Sequence, residues 1–267
     1  MNRIGLAGII SGVVLCAAIL LLRSPMVSQF PRTLPARTPL VVLCAASNRQ
    51  VLESVAAEYE KTTGVKIQLV LGASQSLLSG TAISHVGDLY VPADDSYIAI
   101  AREQQLLAGE SIPLGRMKIV LAVSARRTEA IPSLKSLTTS GARVAIGDPE
   151  VAAIGRIVRE HLTRRGEWTG LESSLILQPT VIEALHALQI GATDAAIVYE
   201  LLLRKNPELR ALELPEFNDL YCDVAVGILK HSSQSDESLR FARYLGAAEQ
   251  GGKIYREHGF LPPASLP

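Results

Sequence analysis

Residues 39–50 read PLVVLCAASNRQ. Pro39–Ala45 is an apolar run of strand length, and Val51, Leu52, Val55, Ala56 and Tyr59 then recur at helical spacing up to Gly64. A strand therefore passes straight into a helix, Ser47–Lys61, through Ala45, Ala46 and Ser47, which leave room at the helix mouth. Ser47 with Gln50 three residues on fits a capping box. The same small residues would let an anion approach the helix start, where unpaired N–H groups and the helix dipole favour negative charge.

The alternation continues outward. Strand-like runs fall at Val65–Leu71, Gly87–Val91, Met117–Ser124, Arg143–Ile146, Leu175–Leu177, Ala195–Val198, Arg210–Glu213 and Tyr221–Lys230. Helical patterns cover Ser96–Leu107, Pro149–Arg165 (stopped by Gly166) and Val181–Ile190, and Asp236–His258 reads as a closing helix or helix pair. The segment LLSGTAISHV, 77–86, is a short helix or turn. Strands alternating with helices predict an α/β fold with mostly parallel sheets. In such sheets ligands bind beyond the carboxyl ends of strands, where loops enter helices.

Four joins of that kind share one character. They are CAASNRQ (44–50), LGASQSLL (71–78), IGDPEVAAIGRIV (146–158) and QPTVIEAL (178–185). Asp148 with Pro149 reads as an N-cap followed by the first helical residue, and Thr180 with Glu183 as a second capping box. Small residues, hydroxyls and backbone N–H groups gather at all four, with only Arg49 and Arg156 close by. Each join alone is explained by capping. Together they suit an anion held by uncharged donors.

Composition narrows the partners. Lys plus Arg and Asp plus Glu both number 26, so the net charge is zero, and aromatics make up 4%. A nucleic-acid partner would call for a basic surface and stacking rings, so none is expected. His85, His161, His186, His231 and His258 show no metal-ligand spacing, and no G-x-S-x-G elbow accompanies the serines. Neither cofactor nor catalysis is expected. Cys44 and Cys222 read as buried small residues or as a pair formed in an oxidising compartment.

Ile4–Leu22 is nineteen residues without a charge between Arg3 and Arg23. As a helix it would span roughly 28 Å, close to a bilayer core. Residues 1–23 are read as a membrane anchor or a removed signal segment, and the Pro-containing stretch 24–38 as a linker.

The order of these segments resembles the periplasmic substrate-binding proteins of molybdate ABC transporters over residues 39–262. The resemblance rests on CAAS, YEKTTGVKI (59–67), LGASQSL, DLYVPAD (88–94), IGDPE, AIVYE (196–200) and HGF (258–260). It implies a type II periplasmic-binding-protein fold of two lobes joined by two crossing strands, with molybdate or tungstate between them. Lobe 1 would comprise 39–117 and 228–267, and lobe 2 would comprise 118–227. The implied ligand contacts are the hydroxyls and amides of Ser47 and Ser74, the amides of Ile154 and Val181, and the phenol of Tyr199. A monomeric carrier delivering to an ABC transporter permease is implied, with no direct cation ligands. Ala153 and Ile154 replace a more usual proline and small residue, Arg49 replaces an uncharged one, and VPADD replaces ISAD. A binder of sulfate or an organic anion, or a membrane-anchored sensor, is the alternative.

Overall fold

The computed structural model describes residues 38–126, 131 and 133–264. The anchor-or-signal segment 1–23 and the linker up to residue 37 lie outside the described residues. No helix among the described residues is long and apolar enough to cross a membrane.

Two βαβαβ units repeat one plan. The first runs β1 (Leu40–Ala45), α1 (Arg49–Thr63), β2 (Ile67–Gly72), α2 (Ser74–Ser84) and β3 (Leu89–Val91). Between the units stand α3 (Ser96–Glu103), β4 (Leu107–Ser124) and α4 (Leu134–Thr139). The second runs β5 (Val144–Gly147), α5 (Ala153–Arg164), β6 (Leu175–Gln178), α7 (Val181–Gln189) and β7 (Ala195–Tyr199), with the short α6 (Trp168–Glu172) after α5. β8 (Leu209–Leu212), β9 (Tyr221–Leu229), α8 (Ser235–Gly246) and α9 (Gly251–Glu257) close the chain. In each unit the first strand is central, with β2 and β3 parallel to β1, and β6 and β7 parallel to β5. The full order is β2-β1-β3-β9-β4-β7-β5-β6, with β8 also on β4.

The two parallel sets are joined by antiparallel strands. β9 pairs with β3 and β4, and β4 pairs with β7. This is an α/β type II periplasmic-binding-protein architecture, with two mostly parallel sheets bridged by β4 and β9. The local chemistry is plain in α1. Val51, Leu52, Val55 and Tyr59 are buried along one stripe, and the helix stops where Gly64 turns left-handed at φ 72° and returns its N–H to Glu60 at 2.8 Å.

Several boundaries move from the sequence reading. β4 starts ten residues before Met117, because register shifts between Ala108 and Ile112 and between Pro113 and Gly115 absorb residues that spoil a regular pattern. α3 ends at Glu103, since Gln105 takes φ 57° and the next strand begins at Leu107. α5 begins at Ala153, not Pro149, because the Val151 and Ala152 N–H groups bond back to the Asp148 carbonyl in a separate turn. The closing segment is a pair of helices, and α4 and α6 carry too few periodic positions to stand out in sequence.

That turn is packed against α5 by Gly155. A Cβ there would lie 1.9 Å from the Gly147 carbonyl oxygen and 2.7 Å from the Pro149 nitrogen. Gly155→Ala is expected to cost about 2–3 kcal/mol by overpacking, lowering Tm by about 4–12 °C for a chain of this size. Gly170→Ala in α6 meets nothing within 4 Å, and thermal melts should show it neutral or slightly stabilising.

Candidate functional site

Ser47, Ser74, Ile154, Val181 and Tyr199 all line one small cavity of about 20 Å³, together with Ala45, Ala46, Gly72, Ala73, Ala93, Ala152, Ala153 and Thr180. No Lys, Arg, His, Asp or Glu belongs to that lining. Each contribution comes from the carboxyl end of a parallel strand: β1, β2, β5, β6 and β7 in turn. The strands bring together what lies far apart along the chain because each parallel crossover returns its next strand end to the same edge.

The serines do different work from simple caps. Ser47 sits in a 3-10 turn, Ala46–Asn48, ahead of α1, and neither it nor the Asn48 N-cap makes a side-chain cap bond. The expected Ser47–Gln50 box is absent because the turn carries Ser47 off the α1 axis. Its hydroxyl is buried, the residue being 7% exposed, and has no hydrogen-bond partner. Asn48 holds this turn in place by donating from Nδ2 to the Pro92 carbonyl at 3.0 Å. Ser74 is the first residue of α2, and its Oγ accepts from the Ala93 N–H at 3.1 Å. With that lone pair engaged, the hydroxyl proton is left to donate.

Ile154 is the second residue of α5 and Val181 the first of α7. At those positions no carbonyl four residues earlier in the helix receives the N–H. The Asp148 N-cap is replaced by Ala152, while Asp148 Oδ1 accepts from Glu150 N–H in the preceding turn. Thr180 does cap α7, accepting from Ile182 N–H at 3.1 Å, and its hydroxyl donates to Glu183 instead of completing a reciprocal box. The Ser47 hydroxyl, which has no partner, and the helix-start residues Ile154 and Val181 therefore line the cavity from both βαβαβ units.

Tyr199 is buried at the end of β7, and its phenol oxygen accepts from the Cys222 thiol at 3.4 Å. Burial, and then the neighbouring Cys222, push its pKa well above the ordinary 10, so the phenol stays a proton donor. Cys222 is likewise raised by burial first and by Asp94 next. Cys44 and Cys222 are free and buried, not paired. The contact of Cys222 with Tyr199 has no signature in sequence, because 23 residues separate them along the chain.

Arg49, Asp88 and Asp94 are engaged away from that lining. Arg49 turns to Glu53, with Nε 2.7 Å from Oε1, on the exposed face of α1. Asp88 is a structural acceptor for Val41 N–H and the Ser232 hydroxyl at 2.9 and 2.6 Å. Asp94 accepts from Ser96 N–H and Asp223 N–H. Among the described residues no group of three or more His, Cys, Asp or Glu could hold a metal ion.

Residues 40–261 match the family described as bacterial extracellular solute-binding protein. The chain belongs to that family. This solute-binding protein is 25% identical over 260 residues to the molybdate-binding protein ModA of Mycobacterium bovis, covering 96% of this chain and 95% of the relative. Its fold matches the periplasmic molybdate-binding protein of Azotobacter vinelandii at TM-score 0.71 with 18% identity, over 84% of this chain and 99% of that one. It also matches the sulfate-binding protein SubI of Mycobacterium tuberculosis at TM-score 0.73 with 17% identity, over 84% and 87%. The two structural likenesses establish the fold of this solute-binding protein.

The burial of its phenols is directly testable. Tyr90, which donates to the Ser74 carbonyl at 2.8 Å, is raised well above 10 by burial, as are Tyr199 and Tyr255. Stability from these groups is complete below the unfolded value near 10 and is lost as pH rises beyond it towards the folded values. Alkaline titration by phenolate absorbance should therefore show these three ionising only as the protein unfolds. Reversible ionisation of all seven tyrosines near pH 10 would contradict the burial.

Proposed function

We propose that this chain captures a tetrahedral dianion, molybdate or tungstate, between two lobes and delivers it to the permease of an ABC transporter. The lobes are 39–117 with 228–267, and 118–227, and the ligand contacts are Ser47, Ser74, Ile154, Val181 and Tyr199. One observation carries the reading: the cavity offers hydroxyl and amide donors with their oxygens already engaged or buried, and no charged side chain. A fully deprotonated anion needs donors only. A protonated one would also need an acceptor. The likeness to ModA supports molybdate over other anions, and the bulk of Ile154 makes the pocket narrow.

Each hydrogen bond to a charged partner contributes roughly 1.5–3 kcal/mol. Five of them, less the cost of ordering ligand and lobes, leave about 8–12 kcal/mol, or micromolar to nanomolar binding. The protein acts as a carrier on the outer side of the membrane, with no catalytic step, and residues 4–22 supply its anchor. Closure on the ligand follows from the division of donors, since neither lobe holds enough alone.

Calorimetry with molybdate, tungstate, sulfate and phosphate tests this. The heavy oxyanions should bind with Kd in the range above and outcompete sulfate. Ser47→Ala and Tyr199→Phe should each weaken binding by about 10–150-fold, with little change in Tm. Absence of heat with both molybdate and tungstate would refute the ligand assignment.

A further inference from the structure

Of the two arginines beside the joins, Arg49 is accounted for by Glu53. Arg156 is not used by the anion contacts, although it lies two residues beyond Ile154 in the first turns of α5. Its side chain leaves the second βαβαβ unit and reaches the start of α3, next to the first. There the guanidinium carbon stacks 4.7 Å from the Tyr97 ring centroid, and Nη2 donates to Ser96 Oγ. The side chain is 22% exposed, and Nε lies 3.8 Å from Glu160, too far for a hydrogen bond.

The contact does not end at Ser96. Its hydroxyl donates onward to Asp94 Oδ1, which also takes Ser96 N–H at 3.0 Å. Asp94 is buried, and its other oxygen accepts from Asp223 N–H on β9 at 3.3 Å. A continuous polar chain therefore runs from α5 through α3 to a bridging strand. Beside it, Gln75 N–H at the start of α2 bonds to the Val151 carbonyl in the turn before α5, at 3.1 Å. Both links cross between the units at the edge of the cavity. Stacking of a guanidinium on an aromatic face and a charge-assisted hydrogen bond are both strongest when partly desolvated, as here.

We propose that Arg156 is the positioning residue that holds the two lobes shut over the bound oxyanion, and so governs how slowly the anion is released. The inference rests on the two-lobed carrier reading above. Arg156 does not need to touch the anion. It fixes the first turn of α5, which carries the Ile154 amide, against Ser96 and Tyr97 of the opposite lobe. Encounter takes place with the cleft open, before this contact forms, so the association rate should be nearly independent of it. Release requires the contact to break. Loss of the side chain therefore shifts the open–closed balance without removing a ligand donor.

Stopped-flow binding of molybdate to the purified full-length protein tests the proposal, using Arg156→Ala, Arg156→Lys and Ser96→Ala. Arg156→Ala should release molybdate about tenfold faster with association within about twofold of the parent and Tm unchanged. Ser96→Ala should give a smaller acceleration. Arg156→Lys, which can still reach the hydroxyl and the ring, should restore most of the slow release. An unchanged release rate in Arg156→Ala would overturn the proposal. So would an equal loss in Arg156→Lys, or a fall in association matched by a lower Tm. Running the same release experiment with whichever of the four oxyanions binds separates this idea from the ligand assignment. If the parent binds sulfate or phosphate but neither molybdate nor tungstate, faster release of that anion from Arg156→Ala keeps the latch while the ligand reading falls, and an unchanged release rate removes the latch.

Discussion

The antiparallel pairing of β4 with β9 carries the rest of the structure. It runs from Leu107 opposite Leu229 to Lys118 opposite Tyr221, and its two irregularities lie near the start of β4. One side of this ladder receives β3 and the first parallel set, while β4 continues onward to pair with β7 and the second. The two βαβαβ units thus share a backbone hydrogen-bond network instead of a flexible tether. Their strand ends can face one another only because that ladder sets the distance between them.

The cavity follows from that placement. Helix starts are electropositive, and several of them aimed at one point would repel each other's dipoles unless something negative or some partner intervened. The chain lowers the local cost with small residues, with the Ala93 N–H on Ser74 Oγ, and with the Cys222 thiol on the Tyr199 phenol. Those bonds occupy oxygen lone pairs and leave protons over. The result is a pocket of donors without lysine or arginine. Such a pocket suits a group that accepts hydrogen bonds and carries no proton of its own.

Glycine and burial keep the geometry tight. Gly155 and Gly147 let α5 start directly on the turn that follows β5, which brings the Ile154 amide to the cavity wall. Asn48, reaching Pro92, does the same for the turn that carries Ser47. None of these three residues lines the cavity, yet each decides where a cavity-lining group ends up.

The alternation of strands and helices, the stop at Gly64 and the four small-residue joins are legible in the chain, because they depend on local pattern and on the conformations that glycine, proline and hydroxyl residues favour. The start of β4 is not legible, since a bulged strand has no clean period. The caps expected at Ser47 and Asp148 fail for a related reason: a hydroxyl or carboxylate near a helix start can serve the preceding turn as easily as the helix. Ser47, Ser74 and Tyr199 can be nominated from sequence, but only the sheet's crossovers decide that they share one cavity. The bond from Cys222 to Tyr199 and the reach of Arg156 to Ser96 and Tyr97 depend on contacts across the sheet and the cleft, which are distances in space that no spacing along the chain encodes.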